Sequence, residues 1–414
     1  GVAADPELKK RLAQLHEQRQ AVLARVLSSD RKRELDELES ELAAVTGDLR
    51  ELPPPALVYA AATQFAPQGN FQPTQGKPRE IRVLRRGQVT APGEIVMPGA
   101  LAVLGHRGSQ FDLPADHTEG ERRVALAAWL ADPANPLTWR SIVNRVWLYH
   151  FGRGISDSPN DLGRMGQLPT HPELLDWLAV EFRDGRQSWK QLHRLICNSA
   201  TYRQVSARSP AGGLDWRLPS NTASNPEAID AENRYLWRMN RRRLEAEAIR
   251  DAALSISGKL DTTMYGPGFQ DFVIDKPEHS PHYEYQRHDP EDTSSHRRTI
   301  YRFVVRSQQQ PFLTTLDCAD PSMQVEKRNE TITPQQALAL LNNKFMIALS
   351  RHFAARVSTL SGDLPGQVTA AYRLALGRLP TDVEIAKLVA HGQRYGLAST
   401  CRVIVNLNEF VFVD

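Results

Sequence analysis

The order of apolar and polar positions divides the chain into a helical arm, a short β-leaning stretch and a long helical remainder. Leu8, Leu12, Leu15, Leu23 and Val26 recur at helical spacing, as do Leu35, Leu38, Leu42, Val45 and Leu49, with Ser28-Ser29-Asp30 as the turn between them. The stripe is narrow and the other faces are charged. The spacing therefore predicts an antiparallel helical hairpin over residues 1–52, packing through a leucine seam and acting as a spacer or docking arm. Pro53-Pro54-Pro55 closes it, because proline lacks an amide donor and clashes with the preceding turn.

Residues 53–120 form a β-containing segment in which ALVYAAATQF, EIRVLRRGQV and ALAVL read as short strands between Gly and Pro turns. The helical period returns in a subdomain over 121–205, through RRVALAAWLA, LTWRSIVNRVWLYHF, PELLDWLAVEF and WKQLHRLICNSATYR. Capping boxes are expected at Thr170–Glu173, Thr333–Gln336 and Thr381–Glu384. Residues 206–228, rich in Ser, Pro, Asn and Gly, read as a linker. The last unit, 229–414, opens with a helix predicted over about 229–257, carries a histidine-rich loop, and has YRFVVRS (301–307) as a strand. Strands and helices do not alternate, which excludes a doubly wound sheet. The fold expected is mainly α: an irregular multi-helix domain with a small β element and an N-terminal helical hairpin.

Composition adds limits. The 51 basic and 48 acidic side chains leave a net charge of +3 over 414 residues, too weak a field to gather nucleic acid, so no nucleic-acid partner is expected. Cys197, Cys318 and Cys401 are too few and scattered for a disulfide framework, and the C-x-x-C-H of a c-type haem is missing from the sequence. Nothing approaches eighteen consecutive apolar residues, so no transmembrane segment is expected. The chain starts at Gly1 rather than methionine, as a processed product or a fragment would.

NPLTWRSIVNRVWLYHFGRGISDSPNDLGRMGQLPTHPELLDWLAVEF (135–182) resembles the core motif of a planctomycete-type domain of unknown function, found at the C-terminal end of multidomain proteins that often carry cytochrome c modules. Later blocks follow in the same order: ENRYLWRMNRRRLEAEAIRDA, HRRTIYRFVVRS, DCADPSMQVEKRNETITPQQALALLNN, AYRLALGRLPT and NLNEFVFVD. The resemblance spans roughly residues 83–414, and the arm at 1–52 is similar to the connector preceding such domains. It implies an extracytoplasmic location, periplasmic or at the cell surface, and a haem c or second domain upstream. The partners it implies are that upstream domain of the same polypeptide, or a cytochrome. It implies no reaction.

Four groups carry candidate chemistry. In the first, His150 ends a helix, where exposed carbonyls favour an imidazolium, and His171 starts one; cap and turn roles are the favoured explanation of both over catalysis. In the second, the loop DKPEHSPHYEYQRHDPEDTSSHRR offers His279, His282, His288 and Asp289 as ligands for a divalent metal, although a solvated loop would look the same. In the third, Asp317 and Asp320, with Arg306 and Arg328, suggest paired carboxylates for hydrolysis of a glycosidic bond, against a favoured reading as an ion-pair and turn network. In the fourth, RMNRRR (238–243) offers phosphate- or sulfate-binding guanidiniums, but pairing along a helix with Glu245, Glu247 and Asp251 explains it better.

Cys197, between apolar neighbours, is read as an inert thiol. Trp129, Trp139, Trp147, Trp177 and Trp189 would pack a core, with some left to line a sugar platform. The function expected is a binding or scaffold module, acting on or binding polysaccharide. The alternative is a metal-assisted hydrolase or oxidoreductase on the same substrate class.

Overall fold

The computed structural model describes residues 6–26, 28–51, 62, 64–104, 110–206, 226–276 and 280–413. Most of ALVYAAATQF and most of the predicted linker lie outside them. Among the described residues the fold is mainly α, with fifteen helices and three two-stranded antiparallel ribbons. The chain divides into two compact units, one of residues 1–96 and 113–122, the other of 97–112 and 123–414.

In the first unit, α1 (Pro6–Val26) and α2 (Ser29–Glu51) form where the heptad-like spacing places them, and Arg19 and Glu39 make an ion pair between them. Among the described side chains the leucine seam is largely open: Leu15, Leu38, Leu42 and Leu49 are more than half exposed, while Leu23 and Leu35 are half-buried. The stripe supplies too little apolar width to bury itself in a two-helix pair. The β-leaning stretch yields β1 (Arg82–Leu84) and β2 (Pro92–Ile95), paired antiparallel around a turn in which Arg86 takes φ 50°. Of ALAVL, residues Ala102–Leu104 in the second unit are a 3-10 turn rather than a strand. The helix α3 (Glu119–Leu130) starts on a reciprocal Thr118–Glu121 cap.

Two helical clusters build the second unit. In the first, α4 (Pro136–Phe151), α5 (Pro172–Asp184) and α6 (Trp189–Cys197) enclose Trp139, Val143, Phe151, Leu178, Phe182 and Ile196. Helix α4 starts on the Asn135 side chain and ends at Gly152, whose φ of 78° is the left-handed C′ conformation its position predicts. Beyond it, Asn144 exchanges both amide groups with the Ser156 backbone at 2.9 Å. A Cβ on Gly154 would collide with the Ser156 carbonyl, so only glycine lets the loop pass so close.

The predicted helix over 229–257 is broken. A short α7 (Pro226–Ile229) is followed by turns in which Asp230 accepts from the Arg234 and Tyr235 amides, then β3 (Arg242–Arg243), and only then α8 (Ala246–Ile256). The Asp230 side chain offers the backbone a local alternative to the helix. RMNRRR is therefore not helical. Arg238 donates to Ser206 O and stacks on Trp237, Arg242 donates to Tyr149 O, and Arg243 pairs with Asp317.

The histidine-rich region carries β4 (Val273–Asp275) paired with β5 (His282–Glu284), over a small core of Phe272, Tyr285 and Val305. YRFVVRS is not a regular strand; Arg302 makes an isolated parallel bridge to Phe269. The larger cluster then closes through α9 (Pro311–Thr315), α10 (Pro334–Asn342), α11 (Lys344–Ser358), α12 (Leu364–Leu376), α13 (Asp382–Tyr395), α14 (Leu397–Val405) and α15 (Asn408–Val411), around Ile249, Leu254, Val357, Ala371 and Ile404. The final strand β6 (Phe412–Val413) pairs antiparallel with β3. The boxes at Thr333 and Thr381 form as predicted. At α5 the frame is one residue off: His171 is the N-cap and makes no capping hydrogen bond, while Thr170 Oγ1 bonds Ile155 O and His171 Nδ1.

Candidate functional site

The aspartate block is a structural knot. Asp317 sits at φ 66°, and its carboxylate accepts from Arg243 at 2.7 Å, from the Thr331 amide and hydroxyl at 2.8 Å, and from Gln336 at 2.9 Å. Burial opposes ionisation of Asp317, but these donors outweigh it and hold the carboxyl below its ordinary value. Arg328 pairs with Glu247 at 2.9 Å. Burial and Glu247 push the neighbouring Cys318 thiol up to about 11. Asp320 is tied to the Ser322 amide and hydroxyl in a turn, and Arg306 is exposed. A carboxylate held by these donors and kept below its ordinary value is poorly suited to take up or release a catalytic proton near neutral pH.

Among the described residues, the histidine-rich loop brings no ligand set together. His279 lies outside the described residues, His282 is exposed on β5, and Asp289 caps the Glu291 amide at 3.0 Å. His288 lines a cavity of about 50 Å³ with Arg250, Asp271, Tyr285 and Lys344. There Asp271 Oδ2 and His288 Nε2 are buried without a hydrogen-bond partner among the described residues. Arg250, 4 % exposed, donates to the carbonyls of Ser295 and Arg297 and to Thr299 Oγ1, and burial draws its pKa down to about 10. The cavity admits a few water-sized groups and falls far short of the ~300 Å³ at which small-molecule sites begin. Among the described residues, no three His, Cys, Asp or Glu side chains cluster as metal ligands would. Neither Asp317 nor Asp320 lines this cavity, so the two candidate blocks do not share it.

A much roomier concavity lies on the first helical cluster. Leu175, Leu178, Ala179 and Phe182 turn the apolar face of α5 inward, which leaves Trp177 on the outer face, 48 % exposed. Leu192 and Ile196 do the same on α6 and leave Gln191, Arg194 and Leu195 outward. Between the two helices opens a groove of about 530 Å³. Trp147, Trp177, Leu178 and Ile196 supply its apolar lining, and Gln191, Arg194, Asn198 and Thr201 its polar one. Among the described residues, no acidic group pairs with the Arg194 guanidinium. Of the five tryptophans read as core or platform, Trp129, Trp139 and Trp147 are buried, while Trp177 and Trp189 are about half exposed.

His150 reaches the other flank of α6. Its Nε2 lies 2.8 Å from His193 Nδ1, and its Nδ1 lies 3.9 Å from Cys197 Sγ. Burial, with His193 and Arg242 close by, holds His150 below its ordinary value. Reading His150 and Cys197 from their chain neighbours missed this meeting. The usable signal was the four-residue spacing of His193 and Cys197, which sets both on one face of α6. His171 stacks edge-on against Tyr235 at 5.8 Å and takes no part in the cluster.

No helix among the described residues is long and apolar enough to cross a membrane. The chain matches no curated protein and no solved structure. A family model described as PSD1, protein of unknown function (DUF1553), matches residues 122–391, which take in the first helical cluster with its groove and most of the second cluster, up to α13. That is well over half of the 414 residues. The chain therefore belongs to the PSD1 family, the planctomycete cytochrome c-associated domain of unknown function.

Proposed function

We propose that this chain is a binding module whose groove between α5 and α6 takes an oligosaccharide segment of a polysaccharide. The groove carries the reading. Its volume, about 530 Å³, falls within the ~300–1,000 Å³ of small-molecule sites. Trp177 offers a flat apolar face to the C–H side of a pyranose ring, while the amides of Gln191 and Asn198 and the Thr201 hydroxyl can exchange hydrogen bonds with sugar hydroxyls. The Arg194 guanidinium, with no acidic partner among the described residues, favours sugars that carry a carboxylate or sulfate, since its planar fork matches either group.

The module works outside the cytoplasm, beside a haem c or second domain on the same polypeptide or a separate cytochrome, and positions polysaccharide for that partner. This placement rests on the company such domains keep. Titration of the chain with neutral and uronic acid oligosaccharides, followed by tryptophan fluorescence and calorimetry, tests the groove. Saturable binding that Trp177→Ala abolishes is the expected result. Binding that survives Trp177→Ala, or no binding by either sugar class, would remove the proposal.

A further inference from the structure

Three side chains, His150, His193 and Cys197, form a line across α4 and α6. His193 and Cys197 stand one helical turn apart on α6, and His150 projects from the last turn of α4. The His150 and His193 rings meet at 62° with centroids 5.0 Å apart, and the Tyr202 ring lies edge-on to His150 at 5.4 Å. His150 is thus fixed from two sides. When its Nε2–H donates to His193 Nδ1, the lone pair on Nδ1 is left facing the Cys197 sulfur.

We propose that Cys197 is a reactive thiol, with His150 as its general base and His193 as a positioning residue, and that it undergoes exchange with low-molecular-weight disulfides. The order nucleophile, base, orienting group is the arrangement that activates a thiol, and separations longer than an ordinary hydrogen bond are common before a reactant arrives. In the step, His150 Nδ1 takes the thiol proton as Cys197 Sγ bonds to one sulfur of the disulfide. The S–S bond breaks, and the departing thiolate recovers the proton from His150 and leaves as a thiol. One disulfide and one thiol give one mixed disulfide and one thiol, with no outside oxidant.

The other cysteines supply a contrast within the same chain. Burial and Glu247 raise Cys318, and burial pushes the fully enclosed Cys401 up to about 12, so neither gains thiolate character. Cys197 is only half-buried.

The test treats the full chain with hydroxyethyl disulfide near neutral pH and follows mixed-disulfide formation at each cysteine by peptide mass spectrometry, with the urea-unfolded chain as reference. Cys197 is expected to react about tenfold or more faster than in the unfolded chain, a conservative figure for a positioned base. Its rate should also show an acidic inflection from the histidine that His150→Gln removes along with the enhancement. His193→Gln, at an exposed position, should lower the rate partway without disturbing the fold, so it carries the test if His150→Gln fails to fold. A native rate no higher than the unfolded one overturns the proposal, and so does a rate that neither substitution changes.

Discussion

Asp317 and Arg243, 74 positions apart in sequence, meet at 2.7 Å with the arginine side chain only 5 % exposed and the aspartate 15 %. The pair anchors β3 to the segment that precedes α10. Removing one member of a buried pair strands the other, at a cost of about 3–5 kcal/mol. Asp317→Ala should therefore lower the urea midpoint sharply. Asp317→Asn should be milder, because asparagine tolerates the left-handed backbone at this position and can still accept from Thr331. If both variants unfold with the wild type, the knot is not structural and the catalytic reading of Asp317 returns.

Arg250 offers a second structural test. It donates to two carbonyls and a hydroxyl of the segment 295–299 and lies against the Phe269 and Phe345 rings, each at 5.1 Å. Arg250→Met keeps the packing but leaves those acceptors without donors, at roughly 1–3 kcal/mol for each buried group. Hydrogen exchange should rise first across residues 261–305, before the α11–α14 helices loosen. Uniform protection would contradict it.

Stability should climb with pH from strongly acid solution to near neutrality. The Arg378 side chain draws Glu384 down to about 2 from 4.5, so the unfolded chain takes the proton first in that window. The stabilisation from this contact is complete above pH 4.5 and lost as pH falls toward 2. His150 and His288, both lowered chiefly by burial, act in the same direction at higher pH. Below their ordinary value of 6.5 the unfolded chain again binds more protons, so acidification costs stability and a rise above 6.5 removes that cost. Thermal midpoints across pH 2–8 check this, and Glu384→Gln should flatten the acid limb.

At the groove, Arg194→Gln should weaken an acidic oligosaccharide by about tenfold, within the range of a charge-assisted contact, while a neutral one changes little. Calorimetry with matched sugars reads the difference. Equal losses for both would mean that the arginine shapes the groove rather than selecting charge.

What was legible in the sequence was local. The boxes at Thr333 and Thr381 form as predicted, because each is decided by residues within one turn of it. The arm's two helices follow from spacing alone, but whether their leucines close a seam depends on partners that spacing does not describe. The predicted helix over 229–257 failed because Asp230 satisfies the Arg234 and Tyr235 amides and because Arg243 gains more from Asp317 than from a helical neighbour. The candidate site was legible only in pieces. Trp177 and His150 stand out by residue type alone, whereas Arg194 gains meaning from a groove, and Cys197 from a histidine 47 positions away.

The pairing of β3 with β6 has an effect on how the protein is made. Arg242 and Arg243 cannot take their ladder partners until Phe412 and Val413 have left the ribosome. The cluster begun at α8 therefore stays open through the translation of some 170 further residues, exposing its apolar faces to chaperones for longer than the cluster of α4–α6, whose buried core residues are all made by Ile196.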